Sequence, residues 1–302
     1  MNPFVNLSRT FSFPVSDIES FKFRQPSRPE RAIRARLGLD SANIYWSKYQ
    51  PRNFGDWITP YLYTKLTGRT PIYQRPEGEI RTVLGAGSIF RHIKAANSAV
   101  VWGSGLISKE DTFAPPKEIR AVRGPYSKKT LHERGFACPD SFGDPGLLLP
   151  RVYQTANISV SHSLGIIPHF KEIGSAQDLH ARLATDEVII IDPTQPIENI
   201  INQIHSCQCV VSSSLHGLIV CHAYGTRCGW VRLNPRWNKK IDGDDIKFLD
   251  HMTAIGLDSQ NAPYYVDGEQ VSVHELLDQA SRNAAPDPTH LIENLEKTCP
   301  FS

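Results

Sequence analysis

Long hydrophobic runs are missing from this 302-residue chain. No uninterrupted apolar stretch reaches the roughly 18 residues a membrane-spanning helix needs. The N-terminus, Met-Asn-Pro-Phe-Val-Asn, lacks the basic-then-apolar pattern of a secretory signal. An excess of one charge is missing too. Lys and Arg number 33 against 31 Asp and Glu, a net charge of +2, so no bulk field argues for nucleic acid. Cysteine is scarce: Cys138, Cys207, Cys209, Cys221, Cys228 and Cys299 form no C-x-x-C pair and no zinc-type spacing. Several sit in apolar runs such as Ile219-Val-Cys221-His-Ala, which reads as reduced core cysteine of a cytosolic protein. There is no G-x-x-x-x-G-K-[ST] loop and no G-x-S-x-G elbow.

What is present is enough apolar sequence, 40%, for a sizeable core, over a length that suggests two domains. Residues 1–40 are rich in Pro, Ser and Arg and read as an N-terminal arm. Within it Lys22, Arg24, Arg28, Arg31, Arg34 and Arg36 face one acid, Glu30. Such an arm is a solvated terminus, a contact for an anionic membrane surface, or a contact for another acidic partner.

A strand-turn-helix rhythm begins at Asn43. Asn43 to Trp46, Thr82 to Leu84, Val100 to Trp102 and Ile119 to Val122 read as short strands. Asp56 to Thr67 reads as a helix with Asp56 as N-cap and Gly68 past its end. Gly124-Pro125 opens another that ends near Gly135. Gly143-Asp-Pro-Gly146, followed by Leu147-Leu-Leu-Pro150, reads as a junction, after which the chain restarts. Leu164 to Ile167, Val188 to Ile191 and Val210-Val211 read as strands. Pro196 to Ser206 and Leu215 to Tyr224 read as helices, and helical patterns recur after Val271. Alternation of continuous apolar strands with helices predicts an α/β chain with two parallel, helix-covered sheets. The predicted division is an arm at 1–40, one domain at 41–152 and a second at 153–302 with a helical tail.

Ligands of open α/β sheets bind beyond the carboxyl ends of the strands, so the strand-exit turns are the places to search. Ser212-Ser213-Ser214-Leu215-His216-Gly217 is the most informative. Three hydroxyls precede a helix start, where free backbone N–H groups favour an anion, and His216 adds a donor or a proton. A serine-capped helix with a locally bonded histidine is the plainer alternative. Gly85-Ala-Gly87-Ser88 and Gly103-Ser104-Gly105 each hold a G-x-G. With Phe90 and Ser108 where a dinucleotide fingerprint needs glycine, they read as tight turns or as backbone approach to a ligand. Arg123 ends a strand, where a guanidinium suits a carboxylate or phosphate. His169 follows another strand. Asn53-Phe-Gly55-Asp56 forms a fourth turn, with Asp56 a cap or a cap that also faces a substrate. Asp242-Gly-Asp244-Asp245 offers a D-x-D, in a polar stretch that reads as a solvated loop.

Taken in order, these turns resemble the polysaccharide pyruvyl transferase family. The matching residues are Asn53-x-Gly55-Asp56, Gly85-x-Gly87-Ser88, Trp102-Gly-Ser-Gly105, Val122-Arg123-Gly-Pro, Gly143-Asp-Pro, Gly165-Ile-Ile-Pro-His169, and Ser213-Ser-Leu-His216-Gly217 with His222-Ala-Tyr-Gly225. The spacing resembles most the members acting on succinoglycan- and xanthan-type exopolysaccharides. The resemblance implies a glycosyltransferase-B-like pair of Rossmann-like domains with the site in the cleft between them. It implies phosphoenolpyruvate as co-substrate, a pyruvate ketal on a hexose as product, and no nucleotide cofactor and no obligatory metal. The acceptor it implies is lipid-linked, at the cytoplasmic face of a membrane. Many members carry arginine directly before the Leu-His pair; this chain has Ser214.

On this reading His216 is the general acid or phosphate donor and Asp56 the base. Arg123, Ser212, Ser213, Ser214, Leu215, Gly217 and His169 hold the donor. Asn53, Gly55, Gly85, Gly87, Ser88, Gly103, Ser104 and Gly105 line the acceptor side. The alternatives are a nucleotide-sugar glycosyltransferase of the same architecture, a non-catalytic sugar-binding relative, and a metal-dependent hydrolase using the D-x-D.

Overall fold

The computed structural model describes residues 41–48, 52–155, 157–233, 243–257, 262–266, 270–282 and 284–301, with Ser27 and Pro29. The six cations of the arm, and Asp242 of the D-x-D, lie outside the described residues.

Two five-stranded sheets form, and every strand pairing in them is parallel. The first contains β1 (Asn43–Tyr45), β2 (Ile72–Tyr73), β3 (Thr82–Leu84), β4 (Ala99–Trp102) and β5 (Glu118–Ala121). The second contains β6 (His162–Ile167), β7 (Val188–Ile190), β8 (Cys207–Ser212), β9 (Cys228–Arg232) and β10 (Tyr264–Tyr265). The orders are β2-β1-β3-β4-β5 and β10-β9-β8-β6-β7. Read from β7, the second order repeats the first with each strand moved on by five. Each half is therefore doubly wound and Rossmann-like, with its winding reversing between β1 and β3 and between β6 and β8. Neither sheet closes into a barrel.

Helices cover these sheets. They are α1 (Ile58–Thr67), α2 (Pro125–Glu133), the single turn α3 (Leu149–Val152), α4 (Ile173–Leu183), α5 (Ile197–His205), α6 (Leu215–Ala223), α7 (Ile246–Ala254), α8 (Val273–Ser281) and α9 (Thr289–Lys297). In α5 the apolar face is Ile197, Ile200, Ile201 and Ile204, all buried, as the helical spacing requires. Helix α6 is buried on every side, consistent with its nearly all-apolar sequence, and packs on the turn Pro145–Leu148 of the first half.

The expected N-cap of the first helix moves. A 3-10 turn, Phe54–Trp57, precedes α1, and Asn53 caps it by accepting from the Gly55 N–H at 3.3 Å. Asp56 is thus inside the turn and its carboxylate is spared from capping. Gly68 ends α1 at φ 68° as expected, in the left-handed region that favours glycine. The Gly143–Pro150 punctuation runs through the interior: Leu147, Leu148 and Leu149 are all fully buried. The elements without a sequence expectation are β2, the single turn α3, α4, β9, α7 and β10. Helix α9 returns to the first half, where the Trp102 indole donates to the Leu295 carbonyl at 3.0 Å. Among the described residues no helix is long and apolar enough to cross a membrane. The six cysteines are all unpaired by disulfides, and all but Cys138 are buried.

Candidate active site

The ends of β1 and β3 face the ends of β6 and β8 across one cavity of about 110 Å³. Ser47 follows β1, and Gly87, Ser88 and Ile89 follow β3. His169 and Phe170 follow β6, and Ser214, Leu215 and His216 follow β8. The two reversals of winding, where open sheets leave a crevice, thus line the same cleft. Asn53, Asp56, Arg91, His92, Ile107 and Lys247 complete the wall.

His216 lies in the first turn of α6, and its side chain is almost fully buried. Its Nε2 is 3.7 Å from an Asp144 carboxylate oxygen, and its ring packs edge-on to Phe54. Nε2 is buried and turned toward Asp144, and Nδ1 lies against Gly55. Gly55 makes this possible. A Cβ there would sit 2.0 Å from Nδ1, so the glycine is required for space.

Asp144 is completely buried. It accepts from the Gly146 N–H at 2.9 Å and, through its second oxygen, from the Gly87 N–H at 3.2 Å. Burial alone would raise its pKa. The nearby His216 imidazole and the two backbone donors outweigh burial and hold it below the ordinary carboxylate range. Asp144 is therefore a buried carboxylate beside His216. Sequence reasoning missed it, although Gly143-Asp-Pro was in view, because the surrounding punctuation reads as a junction.

Asp56 faces the same space. Burial pushes its carboxyl up to about 6, against the opposing charges of His216 and Lys247. Lys247, in the first turn of α7, is 7% exposed and had no motif to reveal it. Arg91 and His92 come from the 3-10 turn Phe90–His92, and burial first, then Arg91 and Lys94, lowers His92 to about 4. Ser47 Oγ is buried at the wall with no partner among the described residues.

Of the residues expected to hold the donor, His169, Ser214, Leu215 and His216 reach the cleft. Ser212 and Ser213 lie behind it. Ser212 Oγ donates to the Ile167 carbonyl at 2.9 Å and accepts from the Ser214 N–H at 3.0 Å, and Ser213 Oγ accepts from the His169 N–H at 2.8 Å. These bonds shape the turn. Gly217 lies against the Ser212 hydroxyl, which a Cβ would meet at 2.3 Å. Arg123 is fully buried behind Ser88, donating to its hydroxyl and to the Leu106 carbonyl, each at 2.6 Å, and pairing with buried Asp250 at 3.3 Å. Of the acceptor-side set, Asn53, Gly87 and Ser88 line the cleft. Gly85, Gly103, Ser104 and Gly105 are the layer beneath: Ser104 Oγ donates to the Gly87 carbonyl at 2.8 Å, and Gly105 lies on the Arg123 guanidinium. The described carboxylates of the D-x-D stretch are engaged elsewhere, Asp244 with Ser108 and the Lys109 N–H, and Asp245 with Arg232.

Residues 94–235 match the sequence model of the family described as polysaccharide pyruvyl transferase. This segment, a little under half of the chain, carries the sequence pattern of that family. Two curated relatives are similar to it. One is an uncharacterized protein, L143, of Acanthamoeba polyphaga mimivirus, 32% identical over 173 residues, covering 56% of this chain and 58% of that one. The other is the succinoglycan biosynthesis protein ExoV of Rhizobium meliloti (strain 1021), 27% identical over 210 residues, covering 64% and 62%. The chain thus spans about three fifths of the length of these relatives. A solved structure, an uncharacterized protein of Klebsiella pneumoniae subsp. pneumoniae NTUH-K2044, superposes with a TM-score of 0.43 at 12% identity, covering 80% of this chain and 99% of its own. The matched segment supplies the His169, Ser214 and His216 side of the cleft. Asp56, Arg91 and Lys247 lie outside it.

Proposed function

We propose that the cleft transfers pyruvate from phosphoenolpyruvate to two hydroxyls of one hexose in a polysaccharide repeat unit. The observation that carries this reading is the pairing, in one cleft of a chain carrying the pyruvyl transferase sequence pattern, of two proton-handling groups beside fixed cations. Those groups are Asp56, with its carboxyl at about 6, and His216 backed by the Asp144 carboxylate.

The reaction needs a proton on the methylene carbon of the donor. Its double-bond electrons take that proton, C2 becomes cationic, and a sugar oxygen bonds to it. Phosphate then leaves with the electrons of its C–O bond, and a second hydroxyl of the same sugar closes the ketal. His216, with the Asp144 carboxylate 3.7 Å from its Nε2, delivers the proton, and a carboxylate that titrates near 6 accepts the hydroxyl protons at neutral pH. Enclosure in the cleft positions both partners. The basic residues 22–36 are suited to bring such a chain to an anionic membrane surface carrying a lipid-linked acceptor.

The test is phosphate release from phosphoenolpyruvate, with and without candidate oligosaccharides, in the presence of a chelator. Acceptor-dependent, chelator-resistant release is expected, and His216→Ala should slow it roughly 100-fold or more, the scale of positioned proton transfer. Release that ignores the acceptor would mean hydrolysis. Release that stops with chelator would return attention to the D-x-D.

A further inference from the structure

The ionisable side chains of the cleft wall are Asp56, Arg91, His92, His169, His216 and Lys247. One acid stands against two cations, Arg91 and Lys247, so the cleft suits an anion. The two permanent cations come from opposite halves. Arg91 is carried by the turn after β3, whose neighbours Phe90 and His92 are fixed by ring contacts with Phe113 and Tyr45 at 5.2 and 5.1 Å. Lys247 is carried by α7 of the second half.

The position of Lys247 is strongly determined. Three residues on, Asp250 is completely buried and pairs with Arg123, and it accepts from both the backbone N–H and the hydroxyl of Ser127. Phe248 stacks on Trp230 with centroids 4.5 Å apart, and the Lys247 ammonium lies 5.3 Å from the Phe248 ring centre. A buried ammonium costs desolvation free energy, and a structure that fixes one at a cleft wall has a use for its charge.

We infer that Arg91 and Lys247 form a two-point clamp across the cleft for a small ligand with two acidic groups, Arg91 taking the carboxylate and Lys247 the phosphate. The inference rests on the proposed pyruvyl transfer for the identity of that ligand. The assignment follows from shape. A guanidinium is a planar fork that matches a carboxylate bidentately, whereas an ammonium is a compact point charge suited to phosphate. It also follows from place: Lys247 lines the cleft with His216 and acts on the same Asp56 carboxyl, so it stands at the end of the cleft that the proposed transfer gives to the donor.

The test is calorimetric titration of the full chain with phosphoenolpyruvate, inorganic phosphate and pyruvate. Lys247→Gln should weaken phosphate and phosphoenolpyruvate roughly 10- to 100-fold, the scale of one charge-assisted contact, and leave pyruvate unchanged. Arg91→Gln should weaken pyruvate and phosphoenolpyruvate and spare phosphate. Lys247→Arg should restore most of the phosphate affinity. If Lys247→Gln fails to fold, Lys247→Met keeps the stem over Phe248 and serves instead. Unchanged binding of all three probes by a folded charge-removing variant overturns the clamp, as does a wild type that binds none of them. Anion binding with the expected losses but no phosphate release with any acceptor leaves the clamp standing and removes the transfer reading. Normal acceptor-dependent release with Lys247→Gln removes the clamp and leaves the transfer reading.

Discussion

Asp56 shows how a single side chain exchanges stability for chemistry. Its carboxyl is pushed from 3.8 up to about 6 by burial. A carboxyl with a raised folded-state pKa contributes fully below its unfolded value. That contribution is lost as pH rises through the folded value, because the folded state must then hold a poorly solvated charge. The relevant window is therefore from about 3.8 to 6, and above it the penalty is complete. Asp56→Asn removes the charge and keeps the shape. It should stabilise the protein at pH 7.5, on the order of 1–2 kcal/mol after allowance for the partial exposure of the group, and the gain should vanish as pH falls toward 4. Urea midpoints at pH 7.5 and 4.5 measure this. A gain independent of pH would assign the effect to packing. The same variant should lose turnover, since a carboxamide accepts no proton at these pH values.

At the scale of elements, Arg123 and Asp250 join the strand-exit turn after β5 to helix α7, and so join the two halves. Both side chains are wholly buried, and removal of one partner leaves an uncompensated charge that typically costs about 3–5 kcal/mol. Arg123→Met and Asp250→Ala should each lower the unfolding free energy from urea titration by that order, and the double variant should cost much less than the sum. Strict additivity would mean the two do not act as one strut. Arg123 also shows what was legible. That a guanidinium at a strand exit matters was readable from Val122-Arg123-Gly-Pro, but its partner was not, because Asp250 lies 127 positions later in a helix no motif announced. Strands such as Ala99–Trp102 were readable as continuous apolar runs because parallel sheets bury both faces. Helix α7 was hidden because it follows the polar Asp242–Asp245 stretch. The site divides the same way. His216, Asp56 and Ser88 sit at strand-exit turns with local signatures, while Lys247 and Arg91 reach the cleft from elements placed only by tertiary packing.

At the scale of the molecule, the two sheets repeat one winding order, yet the chain does not finish in the half it last built. Helix α9 and the residues after it fold back on the first sheet. Leu291 and Leu295 are at most 1% exposed, and Ile292, Cys299 and Phe301 are below 10%. The Phe301 ring meets Trp102 and Tyr63 edge-on at 5.3 and 5.1 Å, Trp102 gives its indole proton to the Leu295 carbonyl, and Arg120 donates to the Cys299 carbonyl. At roughly 1.5–3 kcal/mol for each fully buried large apolar side chain, this segment represents on the order of 5–10 kcal/mol, comparable to the whole stability of an ordinary domain. Deletion of residues 286–302 should therefore do more than trim an end. It opens the floor under β4, strips the Trp102 indole of its acceptor, and loosens the layer on which Gly103 and Gly143 meet. The expected result is a chain with retained far-ultraviolet dichroism but red-shifted tryptophan emission, dye binding to exposed apolar surface, and no cooperative thermal transition. A truncated protein that melts cooperatively within a few degrees of the full chain would show that the first half is complete without this segment.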